Sequence, residues 1–93
     1  MIKYISEFIG TFIFVSIILA VVGKSQLAPL FIGIGLTSMI LFCGHISGGH
    51  FNPVVSMAMY INKTLPMNEF MLYVVAQVMG GLCAYQFNKM QIL

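Results

Sequence analysis

Arginine, aspartate and tryptophan are missing from the sequence altogether, and only four lysines and two glutamates carry charge. A soluble domain keeps a charged surface, so a chain with 6% charged residues falls outside that class. Four scattered lysines with no arginine also exclude a nucleic-acid footprint, which takes a basic stripe or patch. Two cysteines, Cys43 and Cys83, cannot make a disulfide framework. Both fall in apolar runs and read as small buried hydrophobes. No nucleophile stands beside a base in a pattern that suggests an enzyme. Cys43, His45 and His50 are of metal-ligating types, but a fourth ligand and sensible spacing are missing, so no metal or other cofactor is expected.

Long apolar runs are what the sequence has. Its 93 residues make one domain, 60% of them hydrophobic, with a mean hydropathy of +1.03. A domain of this size cannot bury so much apolar surface in itself, which makes it an integral membrane protein. The first run, Ile5 to Val22, is just long enough to span and carries Glu7, Gly10, Thr11 and Ser16. Glu7 interrupts its start and no small-x-small cleavage site follows, so it is expected to stay as a span rather than leave as a signal peptide. After the polar turn Gly23–Gln26, a second run covers Leu27 to Cys43, with Pro29, Gly33 and Gly35. The break Asn62–Pro66 precedes a third run, Met67 to Phe87, which holds Gln77, Gly80 and Gly81; Asn88 to Leu93 form a tail. The eight methionines scatter through these runs as lipid-facing or packing residues. Asn62-Lys63-Thr64 has the form of a glycosylation acceptor but lies too close to the membrane to serve as one.

Between the second and third runs lies Ser47-Gly48-Gly49-His50-Phe51-Asn52-Pro53-Val54-Val55-Ser56. The glycine pair allows unusual backbone angles, Asn52 is a good N-cap, and Pro53 suits the first helical position. These residues predict an irregular segment running into a helix from Pro53 to Ile61, about 13 Å long at ~1.5 Å per residue. The hydrocarbon core is ~30 Å thick, so this helix reaches the middle and stops. Backbone left unpaired there must be buried in protein or line a wet cavity.

Three motifs in order resemble a known family. Ser6-Glu7-Phe8-Ile9-Gly10-Thr11-Phe12 is similar to the opening of aquaporins and glycerol facilitators. Gly44 to Ser56 resembles their first signature loop, with Val54 in place of the usual alanine, and Tyr73 to Gly81 resembles their third helix. The likeness covers Tyr4 to Phe87. It implies an all-α membrane fold of three transmembrane helices plus one re-entrant half-helix, with the re-entrant part over 44–61, which is half of the family's inverted-repeat fold. Family members carry two such repeats in inverted orientation; the second half-helix and the pore arginine after it have no counterpart here.

The resemblance implies a passive channel for water or small neutral solutes such as glycerol, in a plasma or inner cell membrane. Two oppositely inserted copies are the expected source of a whole pore, with four pores per assembly by analogy. Lys3 and Lys63 fall on one side and Lys24 and Lys89 on the other, so the positive-inside rule gives no orientation preference. Asn52 is expected to cap Val55 with its side-chain oxygen and donate its NH2 to passing water. The carbonyls of Gly48, Gly49, His50 and Phe51 are implied as path-lining acceptors. Ile32, Ile40, Gly49 and Val55 map onto the family's constriction and predict an apolar filter that tolerates glycerol. Glu7 is expected to brace the loop at His50 or at its backbone, helped by His45 and Gln77. Two alternatives remain: a proton-coupled dual-topology exporter using Glu7, and a non-conducting subunit that needs a separate partner chain.

Overall fold

The computed structural model describes residues 1–90. Four helices follow one another: α1 (Ile2–Val21), α2 (Ala28–Ser47), α3 (Pro53–Ile61) and α4 (Met67–Met90). α1, α2 and α4 are each long and apolar enough to cross a membrane. At ~1.5 Å per residue they rise about 30 Å, 30 Å and 36 Å, against about 13 Å for α3. Lys3, Tyr4 and Glu7 of α1 meet Glu69, Tyr73 and Gln77 of α4 in the same order, so these two helices run parallel, side by side. α3 runs antiparallel to α4: Ser56 meets Gln77, and the Tyr60 ring stacks on Phe70 at 5.3 Å. It therefore covers only the first half of α4.

The buried residues are mostly small or polar. α1 buries Ser6, Glu7, Gly10 and Thr11, while α4 buries Tyr73, Gln77, Gly80 and Ala84, a stripe at helical spacing. Lipid is as apolar as leucine, so large aliphatic side chains gain nothing by turning inward, and small ones let helices approach closely. Gly80 shows how close that approach is, since a Cβ there would lie 2.5 Å from the carbonyl oxygen of Phe8. Leu41 and Phe42 accordingly face outward.

Several boundaries differ from the sequence reading. The second span does not end at Cys43 but continues to Ser47, because Gly48 (φ 92°) supplies the left-handed residue that closes the helix, its N–H bonding Gly44 O at 2.9 Å. Gly44, His45 and Ser47 read as loop by composition, yet they complete a helical turn. The third span continues past Phe87 to Met90, and the rest of the expected tail, 91–93, lies outside the described residues. The first span starts at Ile2 and ends at Val21. Cys83 is exposed and Cys43 half-buried, so neither is the buried hydrophobe its apolar run suggested: Cys83 faces outward from the buried stripe of α4.

Candidate functional site

The irregular segment between α2 and α3 turns back through three left-handed residues, Gly48 (φ 92°), Gly49 (φ 66°) and Phe51 (φ 54°). A left-handed phenylalanine costs about 1–2 kcal/mol, so something must hold it. Its ring is 2% exposed and packs where Gly10 lacks a side chain, and its N–H donates to Glu7 Oε1 at 2.8 Å.

Glu7 is the hub of this arrangement. It is fully buried and accepts four hydrogen bonds: Ser47 Oγ (2.7 Å) and His50 N (3.0 Å) on Oε2, Phe51 N (2.8 Å) and Gln77 Nε2 (2.9 Å) on Oε1. Four donors use the acceptor capacity of an ionised carboxylate. One side chain thereby joins α1, the end of α2, the loop and α4. The second amide proton of Gln77 goes to Ser56 Oγ at 2.8 Å, and Ser56 Oγ lies 2.8 Å from His50 Nδ1. Tyr73 donates its phenol to Ser47 O at 2.7 Å and packs its ring 5.0 Å from the imidazole of His50. The loop is thus clamped through its backbone at two successive N–H groups and through His50 at its side chain.

Asn52 follows with extended backbone (φ −159°), Pro53 takes the first helical position, and Asn52 Oδ1 accepts from Val54 N at 2.8 Å. Val55 was the expected partner; Val54 takes the bond because its N–H is the first one Pro53 leaves available. With the oxygen held, the Asn52 amide group points its NH2 away from the helix on an exposed side chain. Val54 beside it is 71% exposed. Among the described residues α3 is the helix whose N-terminus lies beside the middle of a span, at the level of Gln77 on α4, and a helix N-terminus carries partial positive charge.

The other expected residues spread out. Ile40 packs on the loop, within 3.3 Å of where a Gly49 Cβ would be, and Val55 is partly exposed on α3. Ile32 stands about 12 Å up α2 from Ile40 at ~1.5 Å per residue, so this chain does not gather Ile32 with Ile40, Gly49 and Val55. His45 does not brace the loop: it is exposed and makes no hydrogen bond among the described residues, because the extra turn of α2 points it outward. Gln77 acts on the side chains of Glu7 and Ser56, not on loop backbone. Ser47, Ser56 and Tyr73 were not singled out from sequence. Ser47 and Ser56 flank the loop at its two ends, and Tyr73 precedes Gln77 by one helical turn, which is the pattern that could have marked them.

Beyond the N-terminus of α3, α1 and α4 leave a groove of about 440 Å³ lined by Phe14, Ile18, Val78 and Leu82, with Asn52 and Pro53 at its end. Two buried polar atoms on its wall, Thr11 Oγ1 and Gln77 Oε1, have no partner among the described residues.

A family model described as Major intrinsic protein matches residues 1–92. Glycerol uptake facilitator protein-like 6 of Lactiplantibacillus plantarum is 38% identical over 86 residues, covering 88% of this chain and 40% of that protein. Aquaporin NIP3-1 of Arabidopsis thaliana is 38% identical over 91 residues, 88% of this chain and 28% of that protein. Aquaporin Z of Photorhabdus laumondii is 37% identical over 93 residues, again 88% of this chain and 40% of that protein. The chain therefore spans well under half the length of these relatives. No solved structure gives a significant match. Three apolar spans, a short helix starting at Asn52-Pro53 and the family match over 1–92 lead to one assignment: the chain belongs to the major intrinsic protein family of membrane channels.

Proposed function

We propose that the chain is one half of a passive channel that conducts water and small neutral solutes in single file. The observation that carries this reading is Asn52, whose Oδ1 is committed to Val54 N while its NH2 has no hydrogen-bond partner among the described residues, at the N-terminus of a nine-residue helix too short to cross a membrane. Two such amide groups donating to one water oxygen leave that water unable to accept from its neighbours. A proton-conducting chain then breaks there, and the paired helix ends repel cations. The carbonyls of Gly48, Gly49, His50 and Phe51 line the approach as acceptors, and Glu7 keeps them turned by holding the loop from behind.

The second half comes from an oppositely oriented repeat, and the simplest source is another copy of this chain. Three observations support that. α3 is long enough for less than half of the hydrocarbon core; the groove between α1 and α4 continues past its N-terminus; and two buried polar atoms there lack partners among the described residues. The lysines stand two at each end of the bundle, which lets the chain insert either way. In such a pair Ile32 of one copy meets Ile40, Gly49 and Val55 of the other at each mouth, an apolar constriction with no fixed cation. Four such pores per assembly follow by analogy with the family.

Stopped-flow light scattering on liposomes containing only this chain tests the reading. Fast osmotic shrinkage is expected, altered in Asn52→Asp. Folded protein with no flux above empty liposomes would refute the two-copy pore.

A further inference from the structure

Two adjacent glycines on α4 stand in opposite surroundings. A Cβ on Gly80 would lie 2.5 Å from the carbonyl oxygen of Phe8, so the packing of α1 on α4 requires glycine there. A Cβ on Gly81 would meet nothing within 4 Å, so no contact among the described residues requires a bare backbone at that position. Gly81 lies in the wall of the groove that continues past the N-terminal tip of α3, among Phe14, Ile18 and Val78. Small residues on membrane helices let another element approach closely.

The tip of α3 carries the opposite shape. Val54 follows Pro53 and is 71% exposed, a branched side chain standing clear of its own chain. The groove opens at Asn52 and Pro53, and along α1 it runs from Thr11 to Ile18. That rise is about 10 Å at ~1.5 Å per residue, which suits the end of a short helix rather than a whole span. The groove begins at the Asn52 amide, and the buried Gln77 on its wall keeps Oε1 without a partner among the described residues, so an acyl chain is a poor match. α3 is about 13 Å long in a core of ~30 Å, which leaves room beyond its tip for a second helix of the same length. An oppositely oriented copy presents such a helix, and a twofold axis beside the two tips makes every contact reciprocal.

We propose that Val54 of one copy seats against Gly81 of an oppositely oriented copy, a knob and its hole repeated on both sides of the axis. The inference rests on the two-copy reading above and names the contact that fits the copies to each other. Energy transfer between donor- and acceptor-labelled chains in vesicles, followed as lipid is added, measures self-association. Val54→Ala shrinks the knob and Gly81→Ala fills the hole, and each is expected to weaken association about tenfold because each acts at both contacts. Val54→Ala combined with Gly81→Ala should recover most of that loss, which independent sites do not do. In a background of Cys43→Ser and Cys83→Ser, chains with Val54→Cys mixed with chains with Gly81→Cys should cross-link through a short bifunctional thiol reagent. Each should do so faster with the other than with Leu41→Cys, which lies on α2 outside the groove. Association without the cross-link between positions 54 and 81, or with the two losses adding in the double variant, overturns this contact and leaves the two-copy pore in place. Folded parent chains that stay monomeric overturn both.

Discussion

The ring of Phe51 occupies the space that a side chain at position 10 would need, so Gly10 and Phe51 are halves of one joint between α1 and the loop. Gly10→Ala forces the ring out. Overpacking of this kind costs about 1–3 kcal/mol, and the expected result is a lower thermal unfolding midpoint in detergent together with reduced water flux, because Asn52 is the next residue along. An unchanged midpoint would show that the loop can repack without its anchor.

Glu7→Gln leaves one acceptor oxygen where four donors converge and adds an NH2 among them. Hydrogen bonds to a charged group contribute about 1.5–3 kcal/mol each when lost, so this variant should be among the least stable single changes. Stability and conduction should fall together. Full flux in a stable Glu7→Gln protein would contradict the bracing role, and flux that needs a proton gradient would favour a coupled transporter.

Asn52→Asp separates structure from conduction. Aspartate caps helices about as well as asparagine, so the unfolding midpoint should hold to within about 0.5 kcal/mol for a site with no other lost bond. The amide donor, however, becomes an acceptor. A pH-sensitive dye trapped in liposomes should report a proton leak that the parent chain lacks.

Ser56→Ala removes the hydroxyl between Gln77 Nε2 and His50 Nδ1. Leaving a buried donor without a partner costs about 1–3 kcal/mol. Ser56→Thr retains the hydroxyl and should recover most of that in the same unfolding assay, provided its methyl fits a fully buried site.

Glycerol offers a test of the constriction. With Ile32, Ile40, Gly49 and Val55 as its lining, liposomes should pass glycerol as well as water, and Val55→Arg should reduce glycerol flux more than water flux. Fast water flow with complete glycerol exclusion in the parent chain would contradict an apolar filter.

How much of this was legible beforehand depends on the range of the interaction. Asn52 and Pro53 announce a helix start by local chemistry alone, and the apolar runs announce spans by length. The last turn of α2 was hidden because Gly44, His45 and Ser47 have loop-like composition, while its end is decided by one backbone angle at Gly48. The long-range partners of Ser47, Ser56 and Tyr73 were hidden for another reason: Ser47–Glu7, Tyr73–Ser47 and Ser56–Gln77 close over 40, 26 and 21 residues, and nothing in local sequence states which polar groups will meet. His45 misled because a histidine in a loop motif invites a bracing role, whereas a helical turn carries it outward.

Glu7 and Gln77, bonded across 70 positions, also impose an order on synthesis. Glu7 leaves the ribosome early, the loop follows, and the amide that completes the carboxylate's shell arrives only with α4. Until α4 is in place, the loop backbone has an incomplete lock, and the bilayer interior offers its N–H groups nothing. A newborn chain whose α4 is not yet in place is therefore expected to leave Gly48 to Asn52 near the water interface. Truncations that stop short of Gln77 should leave the segment on the membrane surface, open to cleavage by added protease.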